Sequence, residues 1–260
     1  MTPARSRRAG QGLRPLLDRF EAAHAGLVPD DHNRHFCGMY LRNTRSLDAE
    51  LGRGGFRDPE WFGALTCVFA DLYLDALADW QGGRPVTRPW QLAFGARPDA
   101  RPLRHLLVGL NAHLNADLPR ALLAVMDDHD FDDETVLALR RADFHHVDGL
   151  VARRVPEEYR YLRSVGGPAR EQALMRLLYP LNLVTSRRWL VASRRSVWRN
   201  AVELSCARRA GGQTLAERLA ELEVLAATRV ADLIRPGNVL LRLAVTGFGV
   251  ELPPSPPRRR

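Results

Sequence analysis

Lysine is missing from this chain of 260 residues: all 38 basic residues are arginine. That points to coding bias rather than selection for phosphate contacts. Cysteine is scarce. Cys37, Cys67 and Cys206 stand far apart with no Cys-x-x-Cys pair, which excludes a disulfide framework or zinc knuckle and leaves three reduced thiols expected in a cytoplasmic protein. No uncharged apolar run approaches 18 residues, so no membrane span is expected. The basic start, Arg5, Arg7 and Arg8, is followed by neither an apolar stretch nor a small-residue cleavage site, which argues against a secretory signal. Alternating apolar–polar runs long enough to build a sheet are also lacking.

The formal charge of +8 invites a nucleic-acid reading. Yet Arg5, Arg7 and Arg8 with Arg258, Arg259 and Arg260 supply six of those charges from the two ends, leaving +2 for the body. No specific nucleic-acid partner is therefore expected. The ends, 1–10 and 251–260, read as disordered tails around one domain at 11–250.

What the chain does have is helical periodicity. Leu13, Leu16, Leu17 and Phe20 predict a helix over 11–26, and a second runs from Asp30 or Asp31 to about Leu51. Asp58-Pro59-Glu60 is a helix start with a cap, a proline in the first turn and an acid at the positive dipole end. The segment 84–102, with four prolines, Trp90 and Phe94, reads as a long irregular connection over a site. Further helices are expected at about 103–126, from Asp132 to about Arg154, over 169–209 with a kink near Pro180, and from a Thr214–Glu217 capping box to Pro236. A short helix or strand fills 238–250. The class is all-α, a single bundle of about seven to eight helices.

The stretch with the most chemistry is Asn111-Ala112-His113-Leu114-Asn115-Ala116-Asp117-Leu118-Pro119. On a helix advancing about 100° per residue, Leu107, Leu110, Leu114 and Leu118 form a buried stripe. Asn111 and Asn115 flank it on one side, His113 and Asp117 on the other. A His and a carboxylate at i, i+4 reach a common point, where they can hold a divalent metal ion or act as an acid–base pair with Asp orienting the imidazole. The alternative is a helix–helix hydrogen-bond network in which Asp117 caps a segment restarted at Pro119.

The second helix offers His35, Phe36, Tyr40 and Thr44, a mixture able to line a pocket. Asp127, Asp128 and Asp132 resemble the aspartate-rich magnesium motif of terpene cyclases, but Leu190 stands where the second motif, begun by Asn182 and Ser186, needs an acid. Asp71, Asp75 and Asp79 read as solvated surface. Asp143-Phe144-His145-His146-Val147-Asp148 is dense in ligands, of which at most two can face one site. Trp198 reads as core and Arg195 as an anion clamp or a surface residue.

Four patterns together resemble a microbial family catalogued as a domain of unknown function. They are His35-Phe36 with Tyr40 and Thr44, Asn111-Ala112-His113-Leu114-Asn115-x-Asp117-Leu118, Asp143-Phe144-x-x-Val147 and Arg195-x-x-Trp198, spanning about 30–205. The resemblance implies one helical domain with signature residues drawn from several helices, and no established activity. The family usually has an amide where this chain has Asp148.

The expectation is a pocket between helices where His113 is the acid or base, Asp117 its orienter, Tyr40 a donor to developing negative charge and His35 a further catalytic group. Asn111, Asn115, Thr44, Asp143, Arg195 and Trp198 are the supporting or binding residues. The reaction class is lyase, cyclase or hydrolase on a small-molecule substrate, with a divalent ion on His35, His113 and Asp117 as the metal-assisted variant. The competing class is a ligand-binding or scaffold protein without catalysis, and a third is the cyclase-like enzyme holding magnesium at Asp127–Asp132.

Overall fold

Proline and aspartate set most of the helix starts. The computed structural model describes residues 12–165 and 179–254; both charged ends, 1–10 and 255–260, and the Gly166-Gly167-Pro168 turn lie outside the described residues. Helices α1 (Arg14–Gly26), α3 (Pro59–Gln81) and α4 (Arg88–Phe94) each carry a proline in the first turn, where the missing N–H would lack an intrahelical partner anyway. Asp58 caps α3 by accepting from the Trp61 amide, as its place before Pro59 predicts. Between α1 and α3 runs α2 (Asn33–Gly52).

The central element is α5, a continuous helix formed by Pro102–Ala112, a single π-helical turn at His113–Asp117, and Leu118–Val125. A short α6 (Asp128–Asp132) follows, then α7 (Glu134–Ser164), α8 (Tyr179–Ala210), α9 (Gly212–Ile234) and α10 (Val239–Thr246). The protein is thus all-α, with ten helices and no strand among the described residues. The wide turn in α5 has a local cause. Pro119 cannot donate to the Asn115 carbonyl, and its ring would crowd that carbonyl in a regular helix. The Leu118 amide instead reaches back five residues to the His113 carbonyl.

Several expectations need correction. The proline-rich segment is not one irregular connection: Pro89 and Pro102 both sit in first turns, and α4 buries Trp90 and Phe94 in the core. Thr214 does not cap α9, which starts earlier, after Gly211 at φ 129°. α7 extends ten residues past Arg154, through Pro156. The expected break near Pro180 lies at the edge of the described residues. By length and composition α3 could cross a bilayer, contrary to the sequence-based expectation, although its Phe62, Leu65, Tyr73 and Leu77 are buried in the core.

The middle of α5 is buried all round rather than along one stripe: every residue from Asn111 to Pro119 is buried. α2, α3, α4, α8 and α9 all pack on it. α2 comes closest at Gly109, where any Cβ would meet the Phe36 ring at 2.7 Å. After α10 the chain runs extended over 247–254 and packs Val250 and Leu252 against Leu204 and Leu222. Packing therefore continues past the boundary expected at residue 250.

Candidate functional site

The π-helical turn presents His113 and Asp117 together, buried to 2% and 3% exposure. His113 Nδ1 lies 2.9 Å from Asp117 Oδ2, and the Trp90 indole N–H donates to that same oxygen at 2.8 Å. Indole nitrogen can only donate. The shared oxygen therefore accepts from the indole, and with the ring donating to it from Nδ1, Nε2 is left as the acceptor nitrogen. Burial pushes the imidazole pKa below its ordinary value, against the opposing pull of Asp117. The ring is held by Phe69, stacked on it at 3.6 Å with planes 6° apart, and by Tyr40, centroid to centroid 4.7 Å. Asp117 caps nothing: it makes no side-chain bond to the backbone of the segment after it.

His113 lies on the wall of a cavity of about 90 Å³ enclosed by α2, α3, α5, α7 and α8. That wall is apolar apart from Tyr40, Asn43, Thr66, His113 and Arg194. Thr66 is satisfied by the Phe62 carbonyl. Three uncharged polar atoms of the wall are buried without a partner: Tyr40 Oη, Asn43 Oδ1 and His113 Nε2. Buried polar groups are normally paired, and these three unpaired atoms belong to residues that line one cavity. Burial raises the Tyr40 pKa well above its ordinary value, with the Asp117 charge adding to the effect, so the phenol keeps its proton. A larger cavity of about 150 Å³, walled by α2, α5 and α7 with Trp189, Leu240 and Phe248, shares Met39, Asn43, Leu110 and Val151 with the first.

The other expected site residues are elsewhere. His35 faces away: its Nδ1 lies 2.9 Å from the Tyr161 hydroxyl, and its ring is grouped with His105 and His32. The metal set His35, His113 and Asp117 is therefore not assembled, because neighbouring positions on α2 diverge, and no three His, Cys, Asp or Glu side chains among the described residues group to hold an ion. Thr44 turns back on the Tyr40 carbonyl. Asp143 accepts the Arg57 and Asp58 amides at 2.9 and 2.7 Å, anchoring the lead into α3.

Asn111 and Asn115 both donate to the Phe248 carbonyl, at 2.8 and 3.0 Å, and Asn115 accepts the Val250 amide. Asn200 repeats the pattern two residues on, with Val250 and Leu252. These amides hold the C-terminal segment as a neighbouring strand would, and they do not line the inner cavity.

Arg195 is exposed, and Trp198 packs in the core against Phe144. The arginine on the cavity wall is its neighbour Arg194, which sequence reasoning missed. Its guanidinium covers the Phe144 ring at 3.9 Å, donates to the Phe144 carbonyl and pairs with Asp148, which His145 also contacts at 3.1 Å. The pairing also accounts for the acid at position 148: it answers a buried cation.

The cyclase-like cluster is occupied by other tasks. Asp127 and Asp130 form a capping box, Asp133 caps α7, and Asp128 and Asp132 pair with Arg208 and Arg209. The side chains of Asn182, Ser186 and Leu190 lie outside the described residues. Asp71, Asp75 and Asp79 are at the surface, beside Arg19 and Arg84.

Fold and site define an all-helical protein with a buried histidine–aspartate pair on the wall of an apolar cavity. The chain belongs to a family of unknown function, DUF5995, whose profile matches residues 14–236. The resemblance read from the four motifs is borne out over a wider span than those motifs cover. No curated protein and no solved structure matches the chain.

Proposed function

We propose that the protein is a small-molecule enzyme using His113 as its acid–base group, in reactions of lyase, cyclase or hydrolase type. The observation that carries this reading is the unpartnered Nε2 of a histidine that lines the cavity while the opposite ring nitrogen is tied to Asp117. In that state the imidazole accepts a proton from a bound molecule. Asp117 holds the tautomer and stabilises the imidazolium as it forms, the role an orienting carboxylate has in hydrolytic triads. Tyr40, protonated at any physiological pH, donates to an oxygen that gains negative charge. The lowered pKa of His113 keeps the base form available at neutral pH.

A second reading, ligand binding without turnover, is favoured by the nearly unbroken apolar wall of both cavities. Proton exchange separates the two. Octan-2-one in D2O supplies α-hydrogens: the α-proton moves to Nε2, the C–H electron pair becomes a C=C bond as the carbonyl π pair moves onto the oxygen beside Tyr40, and a solvent deuteron returns to carbon as the carbonyl re-forms. Exchange followed by proton NMR is expected to exceed background on the order of 100-fold. His113→Gln should abolish it, with circular dichroism confirming that the variant is folded. Equal rates in the parent, the variant and buffer would remove the catalytic reading and leave the binding one.

A further inference from the structure

We infer that the two cavities are compartments of one channel, and that its ligand is an uncharged, elongated apolar molecule with a single hydroxyl or carbonyl oxygen at its inner end. The inference deepens the acid–base reading and rests on it for what happens at that inner end.

The two spaces share four walls. Met39, Asn43, Leu110 and Val151 each line both, so they form the neck rather than a separate barrier. Met39 is unbranched and adaptable, which lets the neck widen around a chain. Size limits the occupant. An apolar cavity of about 150 Å³ holds a molecule the size of benzene, and the inner one is smaller. Together they take a molecule on the order of ten heavy atoms.

Polarity sets its chemistry. Of the orphaned atoms, Tyr40 Oη and His113 Nε2 belong to residues of the inner compartment alone and Asn43 Oδ1 to the neck, so the ligand's oxygen sits at the inner end and its hydrocarbon part extends outward. Nε2 accepts from a hydroxyl, and the Tyr40 hydroxyl donates to either a hydroxyl or a carbonyl.

Charge excludes the acid of the same length. The one cation on the inner wall, Arg194, is already paired with Asp148. On the outer wall Arg154 and Glu158 pair with each other at 3.3 Å. A carboxylate entering this channel would be a buried charge with no free partner, which is strongly unfavourable. Fatty acids are thereby selected against and neutral alcohols, aldehydes and ketones selected for.

The test is calorimetric titration of the full chain at pH 8 with octan-1-ol and with octanoate. Octanol is expected to bind at least about tenfold more tightly than octanoate. Leu107→Trp and Val155→Trp, which fill the outer compartment from two helices, should each weaken octanol about tenfold or more, with circular dichroism confirming the fold; should one fail to fold, the other decides. Octanoate binding as tightly as octanol, no binding of either, or octanol binding unaffected by a folded Trp variant would each overturn the inference. Octanol binding that behaves as expected alongside absent octan-2-one exchange would sink the acid–base reading alone.

Discussion

Trp90 and His113 meet on one oxygen of Asp117, the indole N–H at 2.8 Å and the imidazole Nδ1 at 2.9 Å. The contact ties α4 to the π-helical turn of α5 and fixes which imidazole nitrogen is bonded and which is left without a partner.

Trp90→Phe keeps an aromatic ring in the core and deletes the donor. It leaves the buried Asp117 oxygen one partner short, so urea unfolding should register a loss of roughly 1–3 kcal/mol, with the smaller ring adding to it. A variant as stable as the parent would mean that this hydrogen bond contributes nothing.

Acid should unfold the protein through its histidines. His105 is held down to about 4, chiefly by burial and then by His32 and His35, whose rings lie 4.3 and 6.2 Å from its own. The unfolded chain, with histidine near 6.5, binds the proton first. Stability is therefore fully present above 6.5 and drains away as pH falls from there to about 4. Urea midpoints measured between pH 7.5 and pH 4.5, a window chosen from those two values, should fall, and less steeply in His105→Gln. A slope identical in parent and variant would contradict the assignment.

Neighbouring arginines should behave differently. Arg194→Met strands the Asp148 carboxylate in a largely dry position, which costs about 3–5 kcal/mol when one partner of a buried pair is removed. Arg195→Ala, on the exposed face, should stay within about 0.5 kcal/mol. Denaturant melts of the two proteins check both, and equal losses would argue against the buried pair.

Much of this architecture was legible beforehand because it is local. The Asp58-Pro59 start, the α1 core positions and the all-α class follow from caps and periodicity acting within a few residues. The α4 helix was missed because four prolines read as disruption, when two of them, Pro89 and Pro102, occupy first turns. The pairing of His113 with Asp117 was also visible, being set by helical spacing. Their joint partner Trp90 was not, since it comes from a segment read as loop. The choice of Arg195 over Arg194 failed by one position, about 100° of helix, and only the packing of α8 against Phe144 decides which of the two turns inward.

The amides illustrate the division most sharply. Sequence placed Asn111 and Asn115 beside a buried stripe as supporting or binding residues, and both are buried. It could not say that their partner would be the backbone of 248–252, far along the chain, because a hydrogen bond between distant segments leaves no periodic trace. Composition and spacing determined helices, their starts and an imidazole beside a carboxylate. Only tertiary packing decided that His113 lines a cavity, that His35 does not, and which buried charges are already neutralised, because those depend on how helices stack and not on what any one of them encodes.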